Sequence, residues 1–163
     1  MKKYFKYTKI IYILLILNSL VSFAQLKTAQ VVAIKDGDTV VLLDDNNNQI
    51  TIRLAEVDCP EKKQAFGTRA KQFTSEQVYL EYVQYTITSK DRYGRSIGKI
   101  YYDDNKYLSE EIIKAGYGWH YSQYSKSQKL SEIQADAKAH KRGLWVDENP
   151  IATWEFRKQK IKK

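Results

Sequence analysis

The sequence predicts a mainly β, α+β domain: a five-stranded Greek-key barrel of the OB type carrying three helices. Three observations lead there. Five short stretches are apolar or alternate apolar with polar, and most end in Asp-, Asn- or Gly-rich turns. A helically spaced stretch falls between the third and fourth of them. Two further helical stretches, each followed by glycine, come after the fifth. That order suits a small sheet closed upon itself, and a chain of 163 residues can bury one modest core.

The first 24 residues stand apart from this domain. Lys2, Lys3, Lys6 and Lys9 precede an apolar run from Ile10 to Leu17, and Val21-Ser22-Phe23-Ala24 ends on a small residue before Gln25. This is the layout of a secretory signal peptide, with cleavage expected after Ala24. The competing reading is a retained anchor, but the run falls short of the ~20 continuous apolar residues a span needs. The protein is therefore expected to be exported, secreted or periplasmic, without stable membrane insertion after cleavage. Losing four lysines and no acid takes the net charge from +8 to +4, compatible with a polyanion partner but no proof of one. Cys59 is the sole cysteine, so no intramolecular disulfide can form and packing must supply the stability.

Residues 28–35 and 38–43 read as strands broken at Asp36-Gly37. Asp44-Asp45-Asn46-Asn47-Asn48 is a turn, and 50–54 alternates as a half-buried strand does. A polar loop runs from Asp58 to Gln64. From Phe66 to about Tyr82 the apolar residues Phe66, Ala70, Phe73 and Val78 take helical spacing. Strands are expected at 83–89 and 96–102, separated by the turn Asp91-Arg92-Tyr93-Gly94. A short helix covers 108–115 with Gly116 as its stop, and a last one runs from 128 to 141. The domain is set at 25–150, with a basic tail at 151–163. Within that tail, residues 157–163 carry five basic side chains in seven and read as frayed.

Asp36 and Asp38 flank Gly37 at the mouth of a strand. An Asp-Gly turn is the ordinary explanation. However, like charges this close call for a neighbouring cation. Arg53 on the facing strand, Asp58 and Glu61 beyond it, and Arg95 after the 91–94 turn each have an ordinary explanation too. Jointly they make an oxygen-rich cluster that two arginines can face. His120 and His140 lie far from these acids, so zinc spacing is absent. Hard oxygen ligands suit Ca²⁺ or Mg²⁺, and a loop site with few carboxylates suits Ca²⁺ better. Two guanidinium forks beside such an ion describe a phosphate clamp.

The segments DGDTV, RLAEVDCPE and DRYGRSIGKIYY, in this order and spacing, resemble the signature segments of the staphylococcal nuclease (thermonuclease) family over residues 30 to about 146. The resemblance implies an OB barrel with three helices and a Ca²⁺-dependent endonuclease hydrolysing DNA and RNA. Asp38, Asp58 and the backbone carbonyl of Cys59 would be the metal ligands. Glu61 would hold or deprotonate the attacking water, and Arg53 and Arg95 would bind the scissile phosphate. Water would attack in line, breaking the 5′ P–O bond and leaving 3′-phosphate ends.

Tyr93 follows the family pattern for a residue near the phosphate. Tyr121 or Tyr124 could stack a base of a single-stranded or denatured substrate, whereas Trp119 and Trp145 suit the core. Cys59 stands where many relatives carry threonine, and the segment from Glu61 to Phe66 lacks the lysine-rich loop of some. The rival reading is a catalytically silent OB-fold module that binds single-stranded nucleic acid. A monomer is expected in either case.

Overall fold

The computed structural model describes residues 26–161, so the signal segment 1–24 lies outside the described residues. Strands β1 (Lys27–Asp36), β2 (Thr39–Leu43) and β3 (Gln49–Leu54) form an antiparallel meander. The two-residue β4 (Val57–Asp58) leads through the 59–66 loop to helix α1 (Gly67–Val78). The chain then makes β5 (Tyr82–Lys90) and β6 (Ser96–Tyr102), followed by the short β7 (Lys106–Tyr107) and helix α2 (Leu108–Lys114). β8 (Trp119–His120), α3 (Gln128–Ala139), a 3₁₀ turn (Gly143–Val146) and α4 (Thr153–Ile161) complete it.

The five long strands close into a barrel. β1 is long enough to serve two neighbours: its first residues pair with β5, and the rest, through two register irregularities, pair with β2. Such irregularities bend a strand and add twist. Closure comes from the parallel pairing of β3 with β6, which sets Arg53 beside Ile97 and Leu54 beside Gly98. Gly98 suits the crowding of β6 between its neighbours: a Cβ there would lie 2.4 Å from the Thr86 carbonyl oxygen of β5 and 3.3 Å from Ile52 Cγ2 across the seam.

Alternation along the strands sends Val31, Val40, Leu42, Ile52, Leu54 and Ile100 into the barrel, where Leu108 and Ile112 of α2 join them. Burying side chains of this size contributes on the order of 1.5–3 kcal/mol each. A second apolar cluster gathers Trp119, Ala137, Leu144, Trp145 and Ala152, with Phe66 and Trp154 packed on its edge. The rings of Trp119 and Trp145 meet edge to face at 5.8 Å. Both tryptophans are thus core residues, as the sequence reading expects.

The five expected strands and three expected helices are present, with ends shifted by a few residues. The fourth α-helix is a correction. Residues 153–161 are helical rather than part of a frayed tail, because Ala152 and Thr153 are buried and Trp154 stacks on the core edge. The basic side chains of 157–163 concealed this from a reading of charge alone.

Gly37 and Asp38 form the turn between β1 and β2, one residue after the expected Asp36-Gly37 break, and glycine is required there by crowding rather than by a left-handed backbone. A Cβ on Gly37 would lie 2.8 Å from the Cβ atoms of both Ala70 and Cys59. The Gly37 carbonyl accepts a 2.7 Å hydrogen bond from Thr74 Oγ1 on α1. The turn is therefore locked between α1 and the β4 segment, which fixes Asp38 in space.

Candidate active site

Four sequence-predicted residues converge where the β1–β2 turn, β3 and β4 meet. Asp38 precedes β2 and Asp58 ends β4, and both are buried, at 3% and 0% exposure. Arg53, on the seam strand β3, lies between them. Its Nη1 is 2.8 Å from Asp38 Oδ1 and its Nη2 donates to Asp58 Oδ1 at 2.6 Å. Asp38 is fixed further by the Cys59 amide, which donates to Oδ2 at 3.0 Å, and by the Thr39 hydroxyl, which donates to Oδ1 at 3.1 Å. Glu61, half exposed in the loop after β4, stands beside Asp58 through a shared partner described below.

Burial raises the Asp58 carboxyl above its usual range, and Asp38 adds to this, while Arg157 and Arg53 pull it back. Burial works against the charge of Arg53, yet Asp38 and Asp58 more than compensate and hold it protonated. Asp36 is pushed up to about 6, first by burial and then by the charge of Asp38. Its Oδ1 accepts from the Asp38 amide at 3.3 Å. Asp36 therefore braces the turn, while Asp38 faces the cluster. The Cys59 thiol is pushed well up by burial and by both aspartates, which keeps it a thiol and removes it as a soft metal ligand.

Among the described residues no group of three or more His, Cys, Asp or Glu side chains forms a metal-holding cluster. What the structure offers is a pair of buried carboxylates already sharing one cation, with oxygen donors only. That donor chemistry fits a hard divalent ion that keeps water in its shell. The Cys59 carbonyl oxygen accepts a 3.0 Å hydrogen bond from Thr153 Oγ1, so one of its two lone pairs has a protein partner.

Arg95 is held apart from this cluster. Its Nε donates to Asp91 Oδ2 at 2.7 Å, and Asp91 Oδ1 accepts from the amides of both Tyr93 and Arg95 at 2.9 Å. Asp91 thus organises the turn that presents Arg95. Among the described residues, no hydrogen bond or ion pair joins Arg95 to Asp38, Asp58 or Glu61. Tyr93 stands out on the same turn at 70% exposure, with Arg92 and Arg95 over its ring at 4.9 and 5.7 Å. Tyr121 stacks in parallel on Trp154 at 5.8 Å and meets Tyr124 edge-on at 4.8 Å. One face of Tyr121 is therefore covered, while Tyr124 is exposed.

His120 is buried and bonded through Nδ1 to Ser131 Oγ. His140 pairs with Asp136 on α3. Neither touches the carboxylates.

A sixth residue escaped sequence reasoning. Arg157 of α4 reaches back so that Nη2 donates to Asp58 Oδ2 at 2.8 Å and Nη1 donates to Glu61 Oε1 at 3.0 Å. A longer contact of 3.3 Å joins Nη1 to Asp58 Oδ1. The signal that could have found it is the aromatic pair Trp154 and Phe156, which argues for a docked segment just before the basic run.

Comparison with known proteins agrees with this architecture. Residues 51–147 match the family model described as Staphylococcal nuclease homologue. A Haemophilus influenzae protein named an uncharacterized endonuclease is 42% identical over 132 residues, covering 81% of this chain and 74% of its own. A Shigella flexneri protein named micrococcal nuclease is 34% identical, with 79% of each chain covered. The Arabidopsis thaliana staphylococcal-like nuclease CAN1 is 36% identical over 67% of this chain and 33% of its own. The family match runs from β3 to just past the 3₁₀ turn and includes Arg53, Asp58, Glu61 and Arg95, and the chain belongs to the staphylococcal nuclease family.

Proposed function

We propose that this nuclease is a calcium-dependent endonuclease, exported from the cell, that hydrolyses phosphodiester bonds of DNA and RNA and leaves 3′-phosphate ends. The observation that carries the reading is the Asp38–Arg53–Asp58 bridge: two buried carboxylates joined by one guanidinium at the mouth of the barrel. Calcium bound by Asp38 and Asp58 would supply Lewis-acid polarisation of a phosphoryl oxygen.

The chain's own groups do the rest. Arg53, rigidly placed by its two carboxylates, presents a planar donor to a phosphate oxygen as charge builds there. Glu61 orients the attacking water and takes its proton. Arg95, fixed through Nε by Asp91, keeps both terminal nitrogens for the phosphate. Tyr93 and Tyr124 are exposed enough to meet a flexible strand, and stacking is tolerant of base identity. A denatured or single-stranded substrate lets its bases splay onto such rings.

Activity on denatured DNA should appear with Ca²⁺ and be weak with Mg²⁺. Mg²⁺ demands near-ideal octahedral geometry at ~2.0–2.1 Å, whereas Asp38 and Asp58 are held in place by Arg53, Thr39 and the Cys59 amide. Initial rates with each ion after chelator treatment decide this, and equal turnover with both would remove the calcium assignment.

Export is supported by the charge and apolar layout of residues 1–24. Amino-terminal sequencing of protein recovered outside the cytoplasm should begin at Gln25. Recovery of the intact chain in the cytoplasm would exclude this destination.

A further inference from the structure

Three contacts fasten the 59–66 loop to the segment around α4. Thr153 Oγ1 donates to the Cys59 carbonyl at 3.0 Å, Gln64 Nε2 donates to the Ile151 carbonyl at 2.6 Å, and Arg157 spans Glu61 and Asp58. Thr153 and Trp154 each lie one turn before Arg157, at i,i+4 and i,i+3, so both neighbour it on the helix surface. Each of the three meets a residue of the site: Cys59, Tyr121, and the Asp58–Glu61 pair. This segment lies beyond residues 51–147, where the family model matches.

Glu61 explains why such a strut is needed. Its side chain is 39% exposed, and among the described residues Arg157 is the partner its carboxylate has. Left alone, an exposed glutamate would sample many rotamers, and holding it in one costs side-chain entropy. A guanidinium fork can bridge two carboxylates at once from a fixed plane, which an ammonium cannot.

We propose that Arg157 is a positioning residue for the hydrolysis: it holds the Glu61 carboxylate beside Asp58, so that α4 is a working part of the active site. The inference rests on the nuclease reading above. Misplacing a reacting group by about 1 Å costs on the order of 10²-fold in rate, and that is the size of effect expected.

The test uses the full chain with Arg157→Gln, Arg157→Lys and, as a control for the basic charge of α4, Lys158→Gln at an exposed position. With Ca²⁺ and denatured DNA, Arg157→Gln should lose about 10²-fold in kcat, with KM moving less than about threefold. Arg157→Lys should fall between it and the parent, and Lys158→Gln should match the parent. In chelator, hydrogen exchange of the 59–66 amides should quicken about tenfold in Arg157→Gln while the barrel amides stay protected.

An unchanged kcat in Arg157→Gln overturns the proposal. So does a raised kcat, which would make Arg157 an internal competitor for the carboxylates. An inactive parent protein would remove the nuclease reading itself. The exchange arm would then still decide whether Arg157 holds the loop, and unchanged protection there overturns the proposal as well.

Discussion

Arg53→Gln is expected to lower kcat on denatured DNA by about 10²–10³-fold, the usual cost of losing a transition-state donor. In the presence of chelator it should also lower stability by about 3–5 kcal/mol, as breaking a buried ion pair does. The guanidinium stands 2.8 Å from Asp38 and 2.6 Å from Asp58. Without it, among the described residues Asp38 keeps only neutral donors and Asp58 keeps only Arg157. Because a ligand bound by the native state alone adds stability, millimolar Ca²⁺ should restore much of the loss without restoring activity. Urea melts with chelator and with Ca²⁺, run beside single-turnover rates, separate the two effects. A variant that melts like the parent in chelator would show that the carboxylates do not depend on Arg53 for their burial.

Arg95→Lys is expected to lower kcat by a similar factor, about 10²–10³, with little change in melting temperature. Arg95 sits on an exposed turn at 36% side-chain exposure. Asp91 still receives the amides of residues 93 and 95 in the variant, so the turn should survive. Lysine keeps the charge but not the two terminal nitrogens in one plane. Loss of a group used only as charge develops lowers kcat more than it raises KM. The measurement is kcat and KM on denatured DNA with circular-dichroism melting alongside. Near-parental turnover in a normally folded variant would reduce Arg95 to a solvated strand end.

Local signals made most of the barrel legible. Turn residues at 36–37, 44–48 and 91–94 bound strands whose alternation is strong, and the helices after Phe66, Tyr107 and Ser127 show clear spacing of Ala70, Val78, Ile112 and Leu130. Asp38, Arg53 and Asp58 lie on or beside those strands, so their convergence followed from the barrel. The short pairing of Val57–Asp58 with Trp119–His120 was not legible, since two-residue strands carry no period. Nor was α4, where three basic side chains match three apolar ones without a clear period and tertiary packing such as that of Ala152 and Trp154 offsets the ordering entropy. Arg157 was hidden for the same reason: a cation in a basic run looks solvated until the fold brings Asp58 and Glu61 to it.

The 99-residue separation between Asp58 and Arg157 also orders events in time. Translation at about 5–20 residues per second needs on the order of 5–20 s to travel from one to the other. During that interval the last barrel strands, ending at Tyr102, and the α2 residues Leu108 and Ile112 that fill the barrel core are made. The strut for Glu61 does not yet exist. On the proposed role of Arg157, the hydrolytic geometry is complete only after residue 157 has been made and docked. For a protein that degrades nucleic acid, this delay separates synthesis beside the cell's own messenger RNA from the onset of cutting.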